Sequence, residues 1–151
     1  MSKTNAHETA LLELEFNNDN YANLGDATGV QGSTAAGSYY IALCSGDPGE
    51  TGDMAGQELT LAEYGQYARV AVARTSGGWT VSGNQVSNAA LVTFAQMTSG
   101  TGVTATHFAI CRAGTIGTDD AVRHSSLTSS LAISNNITPE FAIGALVVTE
   151  D

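Results

Sequence analysis

Residues with side chains able to do chemistry are few, and they fall in two short stretches. Asp47, Glu50 and Asp53 stand in DPGETGD, which has the carboxylate density and glycine content that calcium loops share, although its spacing departs from an EF-hand. A solvated loop tip is the simpler reading on an already acidic chain, so the three are kept as weak calcium candidates; otherwise neither metal nor cofactor is expected. Asp119 and Asp120 beside Arg123 and His124 have the makings of an acid/base group, but adjacent aspartates in the glycine-bounded turn GTIGTDDA are expected to face water. His7, His107 and His124 fall in a helix start, a strand, and a strand or turn, and a shared metal or catalytic role for them is not expected. Tyr39, Tyr40, Tyr64, Tyr67 and Trp79 could offer an aromatic platform to sugar rings. Trp79 follows Gly77-Gly78 at a hairpin entrance, however, where packing is the more usual role. GxSxG, GxxxxGK[ST], HExxH and CxxC are all absent, so no catalytic residue is assigned and the chain is expected not to be an enzyme.

Charge narrows the partners. Five Lys and Arg stand against 15 Asp and Glu, a formal net charge of −10, over 151 residues. Lys3, Arg69, Arg74, Arg112 and Arg123 are scattered, whereas neutralising phosphates requires clustered cations; neither nucleic acid nor an anionic membrane surface is an expected partner. No apolar run approaches the roughly 20 residues that span a bilayer, and Glu8, Glu13 and Glu15 stand where a signal peptide would be basic and then apolar. A soluble product made in the cytosol is the expectation. Cys44 and Cys111, in SYYIALC and THFAIC, read as small buried hydrophobes with reduced thiols.

The elements that must position these residues are mostly strands. NAHETALLELEF, Asn5 to Phe16, is the one clear helix, with Asn5 as N-cap, Glu8 completing a capping box, and a wide apolar face. Residues 17–37 are small, polar and glycine-rich without a period, which predicts an extended arm. Strands are predicted at Tyr39–Cys44, Ala68–Arg74, Trp79–Ser82, Gln85–Asn88, Leu91–Ala95, His107–Arg112, Val122–Ser125, Ser130–Ile133 and Gly144–Thr149, with an edge or corner at Thr138-Pro139-Glu140. The fold class is all-β: an antiparallel β-sandwich, jelly-roll or immunoglobulin-like, with a short N-terminal helix and arm. It divides into an attachment segment, residues 1–37, and a sandwich domain, residues 38–151. Leu11, Leu12, Leu14, Phe16, Tyr21, Leu24 and Val30 are the candidate partner-interface residues. Truncation through Gly37 is expected to leave the sandwich folded but unable to attach.

Four longer segments carry a resemblance: SKTNAHETALLELEFNN, YARVAVARTSGGWTVSGNQVSNAALVTF, THFAICRAG and LTSSLAISNNITPEFAIGALVVTED. Together they resemble a family of small tailed-bacteriophage virion proteins, commonly labelled tail-fibre-like. The resemblance implies a virion structural protein present in many copies or as a small oligomer, assembled in the host cytoplasm. The chain shows no repeats, coiled-coil shaft or separate receptor-binding tip. That gives a first reading as a capsid decoration or cement protein, a homotrimer bound to the major capsid protein or other virion subunits. The second reading is a tail or collar fibre component that binds host-surface glycan through the Asp47–Asp53 loop and aromatics near Trp79.

Overall fold

A computed structural model describes residues 2–25 and 28–150. Among the described residues two α-helices, α1 (Asn5–Leu12) and α2 (Met54–Gln57), accompany nine strands: β1 (Ser38–Cys44), β2 (Val70–Ala73), β3 (Trp79–Ser82), β4 (Gln85–Asn88), β5 (Val92–Thr93), β6 (Val103–Cys111), β7 (Ala121–Ile133), β8 (Glu140–Phe141) and β9 (Val147–Thr149). They form a four-stranded sheet ordered β2-β1-β6-β7, a three-stranded sheet ordered β3-β4-β9, and a β5-β8 pair. The β1–β6, β6–β7, β3–β4 and β4–β9 ladders are antiparallel. This is the all-β class expected from short alternating runs with turn residues between them.

The expected strands Val122–Ser125 and Ser130–Ile133 belong to one strand, β7. Its pairing with β6 jumps from His107↔Ser126 to Ala105↔Leu131, so Leu127–Ser130 bulge opposite Thr106 alone. A polar, hydroxyl-rich stretch with no core to face can leave the ladder without cost to packing. The last strand is shorter than predicted because Ala145 N–H closes a turn on the Ala142 carbonyl at 3.0 Å. Gly144 supplies the left-handed φ of +75° which that turn requires.

The chain divides into two compact units. The first comprises Met1–Ser38, Val72–Val92 and Phe141–Asp151. Here α1 starts one residue earlier than the sequence suggests: Thr4 is the N-cap, in extended conformation and without a side-chain cap bond, and Asn5 is already helical. The expected capping box therefore does not form, and Glu8 is buried. After Leu12 the helix widens into a π-helical turn, Glu13–Asn17, and stops at Asn18 with a left-handed φ of 61°. The widened turn carries Phe16 alongside Leu12 into the interior, both fully buried. Phe16 meets the Trp79 ring edge-on at 4.8 Å, a favoured aromatic geometry. Arg74 closes the helix end, donating to the carbonyls of Leu14 at 2.9 Å and Glu15 at 2.6 Å.

The predicted arm is not extended. Tyr21 and Val30 exchange backbone hydrogen bonds of 2.8 and 3.0 Å. The Asn18 side chain both accepts from Ser33 N–H and donates to the Ser33 carbonyl, each at 2.8 Å. The segment thus folds back as a narrow hairpin-like loop. Gly32 is required where the two sides meet, since a Cβ there would lie 2.0 Å from the Asn18 carbonyl oxygen. Residues 26 and 27 of the predicted arm lie outside the described residues.

The second unit comprises Tyr39–Ala71 and Thr93–Glu140. Ala42, Cys44, Ala109 and Cys111 pack with Met54 of α2 on one face of the β1–β6 ladder. Ile41, Leu43, Phe108 and Ile110 alternate onto the other, and all are buried. Tyr67 stacks on Phe94, with ring centroids 6.2 Å apart, and its hydroxyl accepts from Leu43 N–H at 3.0 Å.

Candidate functional site

Ionisable groups converge most tightly inside the second unit. Glu58 follows α2, Arg69 precedes β2 and Asp120 precedes β7; all three are buried. Arg69 binds Glu58 in a two-pronged contact, Nε–Oε1 at 2.8 Å and Nη2–Oε2 at 2.9 Å. It reaches Asp120 Oδ1 through Nη1 at 2.7 Å and donates to the carbonyls of Ala113 and Thr118. Glu58 also accepts from the Tyr67 hydroxyl at 2.8 Å and from Gly117 N–H at 2.6 Å, while Asp120 Oδ2 accepts from Ala113 N–H at 2.5 Å. Burial disfavours the charge on Arg69, but the hydrogen bonds it donates to Glu58 and Asp120 outweigh it and raise its pKa. Burial and then the Glu58 carboxylate push the Tyr67 phenol up.

Each group in this cluster is consumed by another. It ties the Ala113–Asp120 loop to Glu58 and Tyr67 and so braces the interior of the unit. Asp120 therefore corrects the expectation of a water-facing Asp119-Asp120 turn. Asp119 is also occupied, accepting from Met54 N–H at 2.8 Å and Ala55 N–H at 3.1 Å at the start of α2. The sequence reading missed Glu58 and Arg69 as a pair. The available signal was an arginine entering an apolar strand run, ARVAVA, where a buried charge must find partners.

The three calcium candidates go separate ways. Asp47 accepts from Gly49 N–H at 2.9 Å and pairs with His124 Nδ1 at 3.0 Å. That amide first, and the imidazole after it, holds its carboxyl below the usual range. Asp53 caps α2, accepting from Gly56 N–H at 2.9 Å. Glu50 lines an open cleft of about 270 Å³ with Gly49, Gly52, Ala121, Val122, Arg123 and His124. Arg123 and His124 are successive strand residues whose side chains leave opposite faces, so the cleft does not gather them against one ligand. Among the described residues, no group of three or more His, Cys, Asp and Glu is placed to hold a metal ion. Each histidine has its own partner: His7 the Tyr21 hydroxyl, His107 the Thr106 hydroxyl, His124 Asp47.

Trp79, Tyr39, Tyr64 and Tyr67 are buried and pack interiors, and Tyr40 is half-buried against the Ala42–Cys44–Met54 core, so the five form no exposed aromatic platform. Of the candidate interface residues, Leu12 and Phe16 are enclosed in the core of their own unit, which removes them from any docking surface. Leu11, Leu14 and Tyr21 are half-buried, and Leu24 and Val30 stand exposed on the hairpin loop at 38% and 40%. The sequence reading overlooked Leu61, Leu91, Ile137, Ile143 and Val147, which are also exposed, because a strand pattern does not tell a core face from an uncovered one.

Comparison with curated proteins finds no match. Residues 2–149 match the family described as Podophage GP4 fiber I protein gp80. With nearly its whole length covered, the chain belongs to the podophage GP4 fiber I protein gp80 family, a family of bacteriophage virion structural proteins.

Proposed function

We propose that this protein is a non-catalytic fibre subunit of a podophage virion, working as a homo-oligomer, with the homotrimer as the expected form. The observation that carries this reading is the match to a fibre family over residues 2–149. That description favours a fibre over the head-decoration role to which the short, shaftless chain first pointed. The geometry agrees with a mechanical role. The Glu58–Arg69–Asp120 cluster braces one unit, the Phe16–Trp79 contact locks α1 into the other, and neither leaves a reactive group in a cleft.

Partners in this reading are further copies of the chain and neighbouring virion proteins, with the hairpin loop bearing Leu24 and Val30 offered for attachment. Nucleic acid and membrane are not partners: the net charge is −10, and Lys3, Arg69 and Arg74 are engaged within the chain. Glycan capture by an aromatic platform is not included, because Trp79 and the tyrosines around it in sequence are buried.

Quantitative mass spectrometry of purified particles, scaled to the major capsid protein, tests the assignment. A few to some dozens of copies per particle supports a fibre. A copy number matching the shell subunits or their local threefold positions replaces it with head decoration.

A further inference from the structure

In the unit built from Met1–Ser38, Val72–Val92 and Phe141–Asp151, one sheet face is covered and the other is not. Trp79, Val86, Asn88 and Val148 point inward and are buried. Residues directly opposite one another in antiparallel strands share a face. The outer face is therefore a grid of two rows, Thr80–Ser87–Val147 and Ser82–Gln85–Thr149. Ser87 is half-buried and the other five are exposed. No member of the grid is charged. Residues 72–92 and 141–149 contain a single charged side chain, Arg74, which is turned to the carbonyls of Leu14, Glu15 and Ala36.

At the end of this sheet where β4 finishes and β9 begins stand three uncovered apolar side chains: Ile143, 69% exposed, Leu91, 53%, and Val147, 47%. They are held by one buried side chain. Asn88 Nδ2 donates to both the Ala90 and Ala142 carbonyls at 2.8 Å, and its Oδ1 accepts from Leu146 N–H at 2.9 Å. Its backbone carbonyl accepts from Gly144 N–H at 2.9 Å. Asn88 thus clamps the loop leading to Leu91 against the turn carrying Ile143. Ile143 sits at the turn position that proline commonly fills, where an isoleucine gains nothing from its own fold. An apolar side chain fixed in advance at an exposed tip is how a binding anchor is presented.

We infer that the outer face of β3-β4-β9, with Ile143, Leu91 and Val147 at its end, is where a second copy of this chain docks. This rests on the homo-oligomeric reading above and names its surface. Charge selects the occupant. Two copies at −10 each repel wherever their acids meet, and none of the six grid residues is an acid. Hydroxyl and amide side chains both donate and accept hydrogen bonds, so Thr80, Ser82, Gln85, Ser87 and Thr149 can serve as either partner where the faces of successive copies meet around a three-fold axis, as a face of one charge cannot.

The test is the molar mass of the purified full chain by size-exclusion chromatography with light scattering, for the wild type, Ile143→Asp and Leu91→Asp. Both substitutions are at exposed positions, and far-ultraviolet circular dichroism checks that the variants stay folded. The expected result is a wild-type mass of more than one 15.5 kDa chain, dropping to a single chain in each folded variant. Ile143→Cys supplies a second readout that disrupts nothing: mild oxidation is expected to give a covalent dimer. An oligomeric wild type whose mass survives both aspartates, with Ile143→Cys staying uncrosslinked, overturns the placement and leaves the homo-oligomer reading standing. A wild type monomeric at its highest soluble concentration overturns both. Wild-type monomers whose incorporation into particles is lost with Ile143→Asp assign the face to another virion protein and overturn the inference.

Discussion

Arg69 is one of the few charged side chains that the fold withholds from solvent. Its guanidinium is fully buried between two carboxylates that have no other cation within salt-bridge distance among the described pairs. Removing one partner of a buried ionic cluster leaves uncompensated charge, so Arg69→Met is expected to cost about 3–5 kcal/mol of stability, read from urea melts. Tyr67→Phe strips only the hydroxyl shared by Glu58 and Leu43 N–H and is expected to cost about 1–3 kcal/mol. If Arg69→Met were the milder of the two, the cluster would be incidental to the fold.

The cysteines give a prediction in pH. Burial first, then nearby carboxylates among other charges, pushes the Cys44 and Cys111 thiols from an ordinary value of 9.0 up to about 12. A group whose folded pKa is raised contributes stability that is complete below its unfolded pKa and is lost as pH climbs toward the folded one. Stability is therefore expected to hold to about pH 9 and then fall, since the unfolded chain alone can ionise its thiols. Cys44→Ala/Cys111→Ala should delay that fall until tyrosine ionisation begins near pH 10. Melts of both proteins at pH 8, 9 and 10 check it, and parallel curves would show that the thiols are not the cause.

At the scale of elements, the fold class and most strand positions were legible because alternation and turn chemistry act over a few residues. Tyr39–Cys44, Trp79–Ser82 and Gln85–Asn88 fall within a residue of β1, β3 and β4. What escaped depends on residues far apart in the chain. No local pattern shows that Asn18 will pair with Ser33 and fold the arm back, or that α1 will widen to bring Phe16 onto Trp79. Glu58, Arg69 and Asp120 are separated by many residues and meet only in the folded unit. That long-range contact changes what truncation does. Removal through Gly37 would strip Leu12 and Phe16 from the interior around Trp79, so it would damage the fold as well as any attachment. Phe16→Ala alone is expected to destabilise by about 3–5 kcal/mol, with a blunted Trp79 near-ultraviolet signal. Leu24→Ser on the exposed loop is expected to leave stability within about 0.5 kcal/mol. An unchanged melt for Phe16→Ala would mean that the N-terminal segment is an appendage after all.

The whole molecule is acidic unevenly. Residues 64–118 contain no Asp or Glu and carry Arg69, Arg74 and Arg112, while ten of the 15 acids precede residue 64. Such a distribution keeps free subunits apart over most of their surface and lets them meet where charge is absent. Its signature is in the response to salt. At about 0.15 M ionic strength the screening length is about 8 Å, and it shortens to about 3 Å at 1 M. If copies join through the uncharged β3-β4-β9 face, screening removes the repulsion between their acids and no attraction. Self-association should then strengthen or hold steady as sodium chloride rises from about 0.05 to 1 M. An interface built on ion pairs would weaken over the same range, because its attraction is what salt screens. Sedimentation velocity of the full chain across that series separates the two. Dissociation at high salt would place the contact on ion pairs instead, and Ile143 and Leu91 would then be bystanders.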